Sequence, residues 1–284
     1  MPRRFSLAIE GNSMHFDLIQ TLSLAGKNSV PNDDRIGSAE QHAWVIDGAT
    51  DLGEPGLMGE RGGAAWLAGA AHRAFAGASG PLAELCGGVF DRVATDYGRE
   101  RQREPVAHWE LPRASLAAVA IEGESLACGH LGDCVVIHRS ASGVAFLTPE
   151  PNRDTEQAEA AALGPGTGAD NVRSAHVLAD RRAARERPKA VLSVDAEQAR
   201  AGMHYARTPL AKGDDLLLMT DGFAALFDTY HHYDAATLVA RVLESGLLPL
   251  AAELRRIELE DAACLRYPRF KASDDASVIW LRVG

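Results

Sequence analysis

A chain of 284 residues with 46% hydrophobic residues suits one large α/β or α+β domain and is too apolar to be disordered or fibrous. Its formal net charge of -10 argues against general nucleic-acid binding, which needs clustered Lys and Arg. The four cysteines, Cys86, Cys128, Cys134 and Cys264, form no CxxC pair and show no zinc spacing. They read as buried free thiols of a reducing compartment.

The first apolar stretch breaks at Glu10 and is too short for a secretory core, and the small-residue stretch 62–80 carries His72 and Arg73. Both point to a soluble, cytoplasmic protein with no membrane association. Strands are expected at 5–9 and 16–24, then a polar loop over 27–35. The apolar run Ala43-Trp44-Val45-Ile46 stops at Asp47-Gly48. Residues 59–78 and 82–101, rich in Ala, Leu and charged residues, predict two helices. A hairpin follows from 114–121 to 126–130, and 134–139 and 143–147 extend it as a meander, which favours antiparallel pairing. Residues 149–189 combine a Glu/Ala-rich piece, a Gly-rich stretch and a charged run, and are expected to form an irregular insertion or flap. Strands return at 190–194 and 216–220, helices cover 223–227, 235–244 and 250–262, and a last strand spans 278–283. A single domain over 1–284 is expected.

Carboxylates recur where apolar strands begin or end: Asp33-Asp34, Asp47, Asp221, Asp274-Asp275, with Asp133 of Gly132-Asp133 as a fifth candidate. Adjacent strands lie about 4.8 Å apart, so such side chains can converge. Converged carboxylates repel unless a cation neutralises them, and oxygen-only ligands select a hard ion. Asp-Gly after an apolar run is also the commonest hairpin turn. Here helix-like sequence, not a returning strand, follows both Asp47-Gly48 and Asp221-Gly222.

Four segments, in order, resemble the metal-dependent protein phosphatases of the type-2C (PPM) family. They are Val45-Ile46-Asp47-Gly48, the hairpin from Arg113 through Gly132-Asp133, Leu216 to Gly222, and Ser273-Asp274-Asp275-Ala276-Ser277-Val278. The resemblance implies a four-layer α-β-β-α sandwich, two packed antiparallel sheets flanked by helices, with two Mg²⁺ or Mn²⁺ ions at one end. It implies that Asp47 bridges both ions, that the Gly48 carbonyl binds one, and that Asp221 and Asp274 complete the second. Asp34 and Asp33 would hold waters on the first, and Asp133 a third, weaker site. The substrate implied is a phosphoserine or phosphothreonine protein, with a small phosphate ester and a partner kinase both left open.

The chain departs from the pattern at several places. Ala49 leaves no His general acid after the first Asp-Gly, and the basic residue that grips phosphate falls on Ser29, with Lys27 or Arg35 as substitutes. Ala224 or Ala225 stands where a further acidic residue is usual. Asp275 replaces the usual Asn and adds negative charge. An aspartyl-nucleophile phosphotransferase is excluded, because the nucleophile's position is Val45; Gly26-Lys27-Asn28-Ser29 is no P-loop. The adjacent His231 and His232 read as surface residues. The competing reading is a pseudophosphatase or phosphoprotein-binding regulator of the same fold with little turnover, which Ala49 supports and the set Asp47, Asp221 and Asp274 opposes.

Overall fold

The computed structural model describes residues 13–27, 30–169 and 174–284. The strand expected at 5–9 and the position of Ser29 lie outside them. Eleven strands form two antiparallel sheets among the described residues. The first sheet runs β1 (Phe16–Leu24), β11 (Ala276–Val283), β10 (Asp215–Met219), β6 (Val135–Ser140) and β7 (Gly143–Phe146). The second runs β2 (Arg35–Ser38), β3 (His42–Gly48), β4 (Arg113–Glu122), β5 (Ser125–Leu131) and β9 (His204–Pro209), with the short β8 (Leu192–Ser193) paired to the start of β4.

Strand periodicity explains the layers. On β3, Ala43 and Val45 enter the core between the sheets, while Trp44 and Ile46 face outward. They pack there against α1 (Gly63–Ala76) and α2 (Leu82–Glu100). On β10 and β11, Leu216, Leu218, Ile279 and Leu281 face the second sheet. Leu217, Met219, Val278 and Trp280 face α6 (Asp221–Asp228), α7 (Ala235–Ser245) and α8 (Leu247–Glu260). Strands covered on both faces read as unbroken apolar runs. This is the expected four-layer α-β-β-α arrangement.

Two expectations need correction. The strands from 114 to 147 are not one meander: β4 and β5 lie in the second sheet, β6 and β7 in the first. The chain crosses between sheets at Gly132-Asp133-Cys134, carrying Asp133 to the open end of the inter-sheet core. Among its described residues the segment 149–189 is not wholly irregular. It holds α3 (Asp154–Ala162) and α4 (Ala175–Arg185), and α4 is anchored where Arg182 donates to the Leu52 carbonyl at 2.7 Å and stacks over Trp109. The remaining helix, α5 (Ala196–Gly202), leads into the edge strand β9. No helix among the described residues is long and apolar enough to cross a membrane. All four cysteines are buried and free.

Candidate metal centre

Asp47 continues the inward face of β3 after Ala43 and Val45, one step beyond the apolar core. Its register partner on β4 is Ser115. Ser115 Oγ donates to Asp133 Oδ1 at 2.5 Å, which ties the crossover turn to the same strand end. Asp221 opens α6 directly after β10. One carboxylate oxygen from each of Asp47, Asp133 and Asp221 lies within 4.8 Å of the others. With Asp274 they line a groove of about 270 Å³.

The two Asp-Gly pairs are not hairpin turns. A Cβ on Gly48 would stand 2.8 Å from Asp33 Cβ, and one on Gly222 would stand 1.9 Å from the Asp275 carbonyl oxygen. Each glycine lets a second acidic segment lie against the first, so the Asp-Gly spelling serves convergence.

Asp34 is buried. Its Oδ2 accepts from Thr220 Oγ1 at 2.9 Å, while its Oδ1 has no hydrogen-bond partner. Asp33 packs on Gly48, and its backbone N–H donates to Asp275 Oδ2 at 2.6 Å. Asp275 also accepts from the Gly26 N–H at 2.8 Å, so both its oxygens clasp backbone. Asp274 Oδ1 is held by Lys271 Nζ at 2.6 Å and by the Asp275 N–H at 2.9 Å.

Electrostatics follows from this crowding. Burial, and then Asp221, Asp34, Asp274 and Asp133, hold the Asp47 carboxyl well above the usual carboxylate range. Burial raises Asp34 likewise, with Asp274 and Asp275 adding to it. Asp33 is pushed up to about 7 by burial, then by Asp275 and Asp51. Three cations answer the charge. Arg153 donates to Asp221 Oδ2, Lys271 pairs with Asp274, and Lys189 approaches Asp133 at 3.5 Å.

None of these three basic residues was visible in the sequence as part of the site. Lys27 is exposed and does not line the groove. Arg35 is also outside it, donating to the Asn32 carbonyl at 2.7 Å and to that of Asp34 at 2.5 Å. Asp133 sits in the central trio, one of its carboxylate oxygens within 4.8 Å of those of Asp47 and Asp221. Where His is usual stands Ala49; two residues on, Asp51 accepts from the Gly63 N–H at 2.6 Å at the start of α1. His231 and His232 lie away from the groove, His232 pairing with Glu253 at 3.2 Å.

The donor set suits hard divalent ions: carboxylates of Asp47, Asp133, Asp221 and Asp274, the Gly48 carbonyl, and the orphaned Asp34 Oδ1. An acidic centre at one end of a paired-sheet sandwich defines a class, the hydrolases that work through oxygen-liganded cations. The chain itself belongs to the protein phosphatase 2C family, whose sequence profile, described as Protein phosphatase 2C, matches residues 25–257. Solved structures share the fold. The PstP serine/threonine phosphatase catalytic domain, in complex with two manganese ions, has 16% identity and a TM-score of 0.56 over 95% of this chain and 99% of that one. A serine/threonine phosphatase of S. agalactiae has 18% identity and a TM-score of 0.52 over 95% and 100%. The PPM Ser-Thr phosphatase MsPP of Mycobacterium smegmatis, in complex with cacodylate, has 19% identity and a TM-score of 0.51 over 94% and 99%. A comparison with curated protein sequences returns no match.

Proposed function

We propose that this protein hydrolyses phosphate monoesters on the serine and threonine residues of proteins, using two Mg²⁺ or Mn²⁺ ions. The observation that carries this reading is the approach of Asp47, Asp133 and Asp221 to within 4.8 Å at one end of a type-2C fold. Asp47 would be shared by both ions, with Gly48, Asp34 and Asp33 on one side and Asp221 and Asp274 on the other; Asp133 would serve a third. When bound, the ions supply neutralising charge and a water of lowered pKa.

The chain's own residues do the rest. Strand and helix ends fix the carboxylates before any ion arrives, which limits reorganisation. Thr220 orients Asp34, and Ser115 orients Asp133. Lys271 and Arg153 are positioned to balance the dianion of a phosphate ester. With Ala49 in the His position, no side chain there protonates the leaving group, so good leaving groups should react fastest. A cytoplasmic location, a partner kinase acting on the same proteins, and a flap role for 149–189 within a single domain belong to the same proposal.

The test is hydrolysis of p-nitrophenyl phosphate and of a phosphoserine peptide with Mn²⁺. EDTA should abolish turnover, and Asp221→Asn should cost about a hundredfold or more, since it removes a ligand rather than a ligand's support. Absence of metal-dependent turnover on both substrates would leave a phosphoprotein-binding role.

A further inference from the structure

Two arginines in the groove have no carboxylate within ion-pairing distance among the described residues. Arg113, at the start of β4, is 7% exposed, and one of its guanidinium nitrogens meets His108 Nδ1 at 3.0 Å. Arg185, at the end of α4, donates to the Thr50 carbonyl at 2.6 Å and to that of Trp109 at 3.4 Å. Among the described residues no carboxylate oxygen comes within 4.0 Å of either. Several other sequestered arginines are ion-paired, Arg153 with Asp221, Arg255 with Glu258 and Arg269 with Asp261, while Arg182 satisfies itself on the Leu52 carbonyl and the Trp109 ring. Buried cations are ordinarily paired, because desolvation is costly without a counter-charge. Burial lowers the pKa of Arg113. Burial, with Arg113 alongside, pulls Arg185 down to about 10, against an upward pull from Asp51; Glu186 opposes the shift of Arg113 in the same way. Both side chains line the groove that holds the acidic trio.

We propose that Arg113 and Arg185 form a subsite for a second anionic group of the substrate, a carboxylate or phosphate carried close to the scissile phosphoester. This rests on the phosphatase reading and names the substrate class. Along β4, Arg113 lies two residues before Ser115, on the same face, so about 7 Å of strand separates it from the residue that holds Asp133. That spacing fits an acidic or phosphorylated side chain one or two residues from the phosphoserine. A guanidinium carries five N–H donors, more than these contacts use, and its planar fork matches a carboxylate or a phosphate in two-point fashion.

The experiment compares three phosphoserine peptides on the Mn²⁺-loaded protein: one with alanine flanks, one with aspartate flanks and one with a neighbouring second phosphoserine. The wild type should favour the doubly anionic peptides by about tenfold in kcat/KM, mostly through KM. In Arg185→Gln and Arg113→Gln the preference should shrink to within about twofold of unity, and Arg185→Lys should keep part of it. Unequal gains for aspartate and phosphoserine identify which anion is read. A wild-type ratio near one, or a ratio that survives both glutamine variants, overturns the subsite. Should a variant fail to fold by circular dichroism, the wild-type ratio at low and high salt decides, because a real subsite loses its preference as salt rises. If no peptide is hydrolysed, the catalytic reading falls. Fluorescence anisotropy of the labelled peptides in EDTA then reads the subsite alone, with the same tenfold ratio expected in Kd and equal Kd values overturning it.

Discussion

Arg153 and Asp221 meet across 68 residues of sequence, the guanidinium of one donating to the carboxylate of the other at the edge of the acidic centre. Arg153 also lies 3.5 Å from Asp228 and pairs with Glu156. A candidate metal ligand of the acidic trio is thus held by an internal cation, and a metal bound there would have to displace that cation or share the carboxylate with it.

Arg153→Ala should therefore have opposite effects with and without metal. In EDTA it leaves Asp221 and the buried Asp228 without their cation, and should cost about 2 kcal/mol, on the order of 5 °C in Tm. With Mn²⁺ the competitor is gone, so calorimetry should show metal binding several-fold tighter than in wild type. Weaker or unchanged Mn²⁺ affinity would mean that Arg153 and the ion do not compete.

What was legible in the sequence follows from burial. β3, β4, β10 and β11 are covered on both faces, so they appear as apolar runs ended by charged residues, and Asp47 and Asp221 could be placed at their ends. β9 was missed because its outer residues, His204 to Arg207, are exposed and its pattern is polar. The change of sheet at Gly132-Asp133 was hidden because a crossover and a hairpin turn are spelled alike. α3 and α4 were obscured by flanking glycines and by charges such as Arg181 and Arg185. Those arginines point into contacts with Phe270 and Thr50, far away in sequence. Arg153 and Lys271 carry no local signal of their role, which exists only once the strand ends have met.

The metal-free protein should lose stability as pH rises through the neutral range. In the folded state Asp33 titrates at about 7, and Asp34 and Asp47 are also raised, all chiefly by burial; in the unfolded chain such groups titrate near 4. Between these values the folded protein binds more protons. The stability they contribute is therefore full below about pH 4 and is lost as pH climbs toward 7. Mn²⁺ needs the ionised carboxylates, so the Tm gain on adding it should be larger at pH 7.5 than at pH 5.5. Asp33→Asn should flatten the EDTA profile. A Mn²⁺ gain that is equal at both pH values would contradict the raised carboxyls.

The glycines of the two Asp-Gly pairs should be intolerant of alanine, unlike a helix glycine with room around it. A Cβ at Gly222 collides with the Asp275 carbonyl, whereas a Cβ at Gly88, exposed on α2, meets nothing within 4 Å. Gly222→Ala should lower stability by about 2 kcal/mol or more through backbone displacement. Gly88→Ala should raise it by about 0.5–1 kcal/mol through helix propensity. Thermal melts of the pair in EDTA check this, and Mn²⁺ binding should weaken only in Gly222→Ala. A well-tolerated Gly222→Ala would show that the 273–276 segment is not pressed against Asp221.

Asp275 reads in the sequence as extra negative charge, but its geometry assigns it another task. Its two oxygens accept from the backbone N–H groups of Gly26 and Asp33, pinning the loop that carries Asp33 and Asp34 against the start of β11. An asparagine offers one accepting oxygen and turns an NH₂ toward the other N–H. Asp275→Asn therefore loses a charge-assisted bond and should cost about 1–2 kcal/mol. The lost negative charge acts the other way, since Asp275 raises Asp33 and Asp34. The hydrogen bonds should prevail, because both donors face the carboxylate directly while its repulsion of its neighbours is spread over longer distances. The expected result is a lower Tm in EDTA and Mn²⁺ affinity reduced by about tenfold. A variant more stable than wild type at pH 7.5 without metal would show that charge crowding, not the backbone clasp, governs this corner of the site.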